Sequence, residues 1–151
     1  MQPRIKNPAS TLPGAMQAVQ ALLGVIHKSG APAPVLELVH LRASQINGCG
    51  PCVHAGTQQA RKAGETDERL FAVPVWRETP FFTPAERSAL ALAEAITRIE
   101  DRADPVPDAV WNEAAEHFDE RALSGIVLSI AMTNLFNRVN VSTRQIAGAA
   151  W

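Results

Sequence analysis

A chain of 151 residues with 46% hydrophobic content can bury one real core, which excludes a miniature scaffold held together by staples. Its 14 basic and 15 acidic residues are spread along the chain and leave a net charge of -1, which argues against a nucleic-acid surface. Met1 to Leu12 carries Arg4 and Lys6 but no apolar run like a secretory core, and no later stretch reads as long enough to span a bilayer, so a cytoplasmic protein without a membrane partner is expected.

After a proline-containing arm over 1–14, Val19, Leu22, Leu23 and Ile26 recur at helical intervals until Gly30-Ala31-Pro32 closes the segment. A second helix is predicted from Pro34 to Ile46, with Val35, Leu38, Val39 and Arg42 on one side and Glu37, His40, Leu41 and Ser44 on another. Asn47-Gly48 interrupts the chain, and a third helix opens at Cys49-Gly50-Pro51-Cys52, where a first turn tolerates proline, and runs to Gly64 as a C′ glycine. A short helix follows from Thr66 to Ala72. Val73 to Phe82 then reads as an ordered, proline-interrupted loop packed through Trp76, Phe81 and Phe82.

Thr83-Pro84-Ala85-Glu86 forms a capping box ahead of a stripe of Leu92, Ala93, Ile96 and Ile99. Asp104 to Pro107 breaks the chain and Asp108 to Phe118 returns to helix. Asp119 caps a long helix carrying Leu123, Ile126, Val127, Ile130 and Leu135. Asn134, Asn137 and Asn140 are polar for so apolar a segment, and a kink or end is predicted there, before Val141 to Ala150. The class is all-α, one domain over 15–151 behind the arm.

Both cysteines of the chain lie in Cys49-Gly50-Pro51-Cys52. Two thiols two residues apart can close a small disulfide ring, and the start of a helix lowers a thiol's pKa. Thioredoxins carry the same four residues, but there a strand leads in, whereas the lead-in here is helical, aromatic content is 5% and tyrosine is absent. A structural zinc site would need two more ligands, and His27, His40, His54 and His117 form no second knuckle. In a reducing compartment such a pair does transient or catalytic work more often than structural. Trp76, Phe81, Phe82 and Trp111 read as core or interface anchors, and the asparagines as partners for helix-end polar groups.

The segment from Glu37 through His40-Leu41-Arg42-Ala43-Ser44-Gln45-Ile46-Asn47-Gly48 to Cys49 and Cys52 resembles the AhpD-like alkylhydroperoxidase core of the carboxymuconolactone decarboxylase superfamily. That family's pattern is a glutamate, eleven residues, a cysteine, two residues, a cysteine, three residues and a histidine. Glu37, Cys49 and Cys52 fill the first three places, and Gly56 stands in the fourth. Ala63 to Leu70, Phe82 to Arg87 and Phe136 to Val141 extend the similarity over about residues 15–148.

The resemblance implies a helical subunit of about six to eight helices in a homo-oligomer, a trimer or a multiple of one, with no metal or organic cofactor. It implies that Cys52 attacks a peroxide as thiolate and that Cys49 resolves the sulfenic acid to a disulfide. A dithiol partner, thioredoxin-like or lipoyl, then reduces it, and Glu37 relays the proton. With glycine at 56, two other histidines come into question. His54 follows Cys52 by two residues and points roughly 200° around the axis, so it serves only in an irregular first turn, whereas His40 serves if its helix carries it to the thiols. Two further readings stay open: a decarboxylase of the same superfamily, which needs no cysteine pair, and a redox-responsive, non-catalytic helical oligomer, favoured by Gly56.

Overall fold

The computed structural model describes residues 1–99 and 103–149, so Ala150 and the expected domain end at 151 lie outside the described residues. Among these residues the elements are α1 (Pro8–Thr11), α2 (Ala15–His27), α3 (Ala33–Ile46), α4 (Gly50–Lys62), α5 (Asp67–Ala72), a 3-10 helix (Val73–Glu78), α6 (Pro84–Thr97), α7 (Asp108–His117) and α8 (Glu120–Thr143). The all-α expectation holds.

Helix α3 is the axis of the fold, packing against α4, α6 and α8. Its apolar residues enter two different clusters, and Leu38, which the sequence placed on the face of Val35 and Val39, packs with Leu41 instead because α3 is enclosed on both sides. Val35, Leu36 and Val39 join Ile26, Leu92, Ile126 and Ile130, while Leu38 and Leu41 join Leu70, Val73, Trp76 and Phe82. A helix apolar nearly all round belongs in the interior. Its half-buried Arg42 ends on Glu94 of α6 at 2.7 Å, and Glu94 also accepts from Trp76, Arg77 and Arg98.

Helix starts follow their capping chemistry. Thr83 and Glu86 make the full reciprocal capping box, Thr66 accepts from the Arg69 amide, and Asp119 accepts from the Ala122 amide. Gly64, one residue past the C-cap of α4, takes φ +96, a conformation that glycine reaches without strain.

Several expectations give way to the packing. The Val73–Phe82 loop folds most of its length into the 3-10 helix, with Trp76 and Phe82 buried as expected. Ile99 lies beyond the end of α6 and is 59% exposed, and Leu22, Trp111 and Leu135 also face outward. Helix α8 neither kinks nor ends at its asparagines but runs on to Thr143, because Asn134, Asn137 and Asn140 are buried with polar partners. No stretch of spanning length was expected; α8, with 24 residues and an 18-residue window of mean hydropathy 1.3, reaches that length and composition, and half of the window is buried here.

The N-terminal arm is docked. The Arg4 amide and guanidinium donate to the Thr143 and Ser142 carbonyls, Gln145 donates to the Ile5 carbonyl, and Asn7 is buried.

Candidate active site

Gly48 at φ +64 turns the chain out of α3, the Cys49 amide closes the turn on the Ser44 carbonyl at 3.0 Å, and α4 begins at the next residue. The turn is pinned from α8. Asn47 donates to the side-chain oxygens of Asn134 at 2.9 Å and Asn137 at 2.8 Å, and Asn137 donates to the Ser44 hydroxyl at 3.1 Å. Cys49 and Cys52 are joined as a disulfide with their Cα atoms 5.3 Å apart. Cys49 is wholly buried, whereas Cys52 opens onto a cavity of about 540 Å³ bounded by α2, α3, α4 and α8.

Glu37 and His40, one helical turn apart on α3, line the same cavity, as does His27 of α2. Arg42 is committed to Glu94, which leaves Glu37 to the cavity rather than to an ion pair on its own helix. Burial pushes the Glu37 carboxyl above its ordinary range, with the nearby His27 opposing. Met16, Val19, Leu23, Leu36, Met132 and Phe136 supply apolar walls.

His40 sits with Nδ1 3.1 Å from the Thr133 hydroxyl and Nε2 3.4 Å from the Cys52 carbonyl. Burial pushes its imidazole below the ordinary histidine range, against the opposing pull of that carbonyl, so the ring is neutral near pH 7. Thr133 donates its hydroxyl proton to the Ser129 carbonyl at 2.8 Å, and the neutral ring either donates from Nδ1 to Thr133 or from Nε2 to the Cys52 carbonyl, according to its tautomer. A Cβ placed on Gly56 would fall 2.8 Å from His40 Cδ2 and 3.1 Å from Nε2. The glycine in the fourth motif position is therefore the space into which His40 fits. His54 is exposed, lies off the cavity and comes near Gly148 instead, so it is not brought to the thiols.

The sequence did not single out Asn140, Asn7 or Thr133 for the site. Asn140 donates to Cys52 Sγ at 3.3 Å and to Cys49 Sγ at 3.8 Å, and accepts from Asn7 at 3.1 Å. The readable signal was the three-residue spacing of Asn134, Asn137 and Asn140, which puts three amides along one side of an apolar helix.

The carboxymuconolactone decarboxylase family matches this chain over residues 13–95. An uncharacterized protein of Bacillus subtilis (strain 168), YdfG, is 40% identical over 106 residues, spanning 70% of this chain and 71% of that one. Another, YnjA of Escherichia coli (strain K12), is 31% identical over 131 residues, 85% of this chain and 70% of that one. The crystal structure of an Agrobacterium tumefaciens protein of unknown function, provisionally assigned to antioxidant defence as AhpD, matches with a TM-score of 0.88 at 33% identity over 99% of this chain and 100% of that one. The debrominase Bmp8 shares the fold, with a TM-score of 0.81 at 22% identity over 93% of this chain and 74% of that one. With its cysteine pair at the head of α4 and the family match running through it, this chain belongs to the carboxymuconolactone decarboxylase family and has the AhpD-like helical fold.

Proposed function

We propose that the chain is a thiol peroxidase that reduces organic hydroperoxides through Cys52 and Cys49, serving antioxidant defence. The observation that carries this reading is the asymmetry of the pair: Cys52 faces the cavity beside Glu37 and His40, and Cys49 lies behind it within bonding distance. A decarboxylase has no use for that arrangement.

In the first step Glu37 or His40 takes the Cys52 proton. The thiolate attacks the outer peroxide oxygen and the O–O bond breaks. The departing alkoxide receives that proton, giving an alcohol and Cys52 sulfenic acid. Cys49 sulfur then attacks Cys52 sulfur, and the S–O bond breaks. The hydroxide leaves as water with the Cys49 thiol proton, which closes the disulfide. A dithiol partner, thioredoxin-like or lipoyl, returns two electrons and two protons. The apolar walls, with Met16 and Met132 among them, favour a bulky alkyl group over hydrogen peroxide, since methionine adapts to irregular shapes. Outward-facing Leu22 and Val25 of α2 and Leu128 and Leu135 of α8 support assembly into trimers or their multiples, and a cytoplasmic setting suits a pair that must cycle.

The test is consumption of cumene hydroperoxide and hydrogen peroxide by the reduced protein with dithiothreitol, the thiols being followed by mass spectrometry. Turnover is expected, faster with the organic peroxide, and abolished in Cys52→Ser. Cys49→Ser should undergo one oxidation and stop at sulfenic acid. Equal single-event reactivity of the two variants would reverse the assignment, and inert thiols would end the peroxidase reading.

A further inference from the structure

We infer that Asn140 is a catalytic residue that holds Cys52 as thiolate, and that Asn7 of the N-terminal arm is the positioning residue that aims it; this rests on Cys52 being the attacking sulfur.

The orientation of an amide side chain is settled by its partners, and here the chain of partners has a fixed end. The Ala9 amide can only donate, and it meets the Asn7 side chain at 2.9 Å, so the Asn7 oxygen points to Ala9. The Asn7 NH2 group therefore faces Asn140, at 3.1 Å, and the Asn140 oxygen must receive it. What Asn140 turns toward the sulfurs is consequently its NH2 group, 3.3 Å from Cys52 Sγ. Both asparagines are buried, so neither amide is averaged by water. The arm that carries Asn7 is itself tied to the end of α8 by Arg4 and Gln145.

A disulfide sulfur is a weak acceptor and a thiolate a strong one, so the same N–H contact is worth more after reduction. Asn140 thus lowers the Cys52 pKa and favours the reduced state, without carrying a charge. The ionisable groups around Cys52 are Glu37 and His40 from α3 and His27 from α2; α8 presents Ser129, Thr133 and Asn140 there, and α4 presents Gln59. Glu37, His40 and His27 remain in every variant below, so a difference seen in Asn140→Ala or Asn7→Ser reports the amide, whereas Asn7→Asp adds a carboxylate of its own.

The experiment is the pH profile of iodoacetamide alkylation of Cys52 in a Cys49→Ser background, read by mass spectrometry, which does not require peroxide turnover. Asn140→Ala should raise the midpoint by about one unit, roughly tenfold less thiolate below it. With both cysteines present, that tenfold makes the dithiothreitol-equilibrated potential about 30 mV more negative. Asn7→Ser keeps a cap for Ala9 but cannot reach Asn140, and should move the midpoint the same way by less. Asn7→Asp keeps the cap and offers Asn140 an acceptor, which turns the amide oxygen to the sulfur, and should move it furthest. The inference is overturned if Asn140→Ala keeps the parent midpoint, or if Asn7→Ser does. Should Asn140→Ala fail to fold, the charge-neutral Asn7→Ser decides. Parent-like alkylation profiles with normal turnover would reject this inference alone, and shifted profiles without turnover would reject the peroxidase reading alone.

Discussion

At the scale of single residues, His40 occupies the space at position 56, and under the proposed peroxidase reading it is a candidate to take the Cys52 proton. His40 rises from α3 into the volume that any side chain at 56 would occupy, and its ring is held by Thr133 and the helix, so it cannot swing aside cheaply. Inserting the motif's histidine by Gly56→His should therefore not raise peroxide turnover. It should lower it and cost about 1–3 kcal/mol of stability by overpacking. In His40→Ala/Gly56→His the clash is gone, and turnover should recover above that of His40→Ala alone. Steady-state rates and thermal melts of the three variants check this. A gain in Gly56→His by itself would mean that His40 is not the group filling the motif's role.

At the scale of elements, α8 does two jobs on two sides. Its asparagines clamp the cysteine turn, and near its start Gly125 lets it cross the end of α2 at very close range. A Cβ at Gly125 would fall 1.9 Å from the Ser29 hydroxyl oxygen and 2.4 Å from its Cβ. Alanine improves intrinsic helix stability by about 1 kcal/mol over glycine, so a free-standing helix would gain from the change. In this protein Gly125→Ala should instead lose about 1–3 kcal/mol, because α8 must back away from α2 and loosen the cavity between them. Denaturant unfolding gives the sign directly, and a stabilised variant would show that the crossing relaxes freely.

At the scale of the whole molecule, one buried carboxylate joins α3, the 3-10 helix and α6. Burial alone would raise the pKa of Glu94, but hydrogen bonds from Arg77, Trp76 and Arg42 prevail and hold it at about 2. A carboxyl pulled down on folding stabilises the fold above its ordinary value of 4.5, and that contribution fades as pH falls toward 2. The shift corresponds to about 3 kcal/mol at neutral pH. Glu94→Gln should lose that order of stability at pH 7 and flatten the acid limb of the stability curve between the two values. An unchanged limb, measured by urea unfolding from pH 2 to 6, would remove Glu94 from this role.

What the sequence determined by itself was whatever short-range chemistry encodes. Capping residues at Thr83 and Asp119, the turn at Asn47-Gly48 and the glycine after α4 placed helix ends, and the family resemblance carried by Glu37, Cys49 and Cys52 marked the candidate site. What only the tertiary structure decided involved residues far apart in the chain. The three asparagines of α8 read as a break because, within one helix, a buried amide has no visible partner; their partners sit on Asn47, Ser44, Thr97 and Asn7, supplied by other elements. Gly56 read as a missing histidine because its neighbour His40 belongs to another helix. Ile99 read as core because periodicity does not say where a helix stops. Burial is set by three-dimensional neighbours, and a one-dimensional pattern reports only which faces are available to meet them.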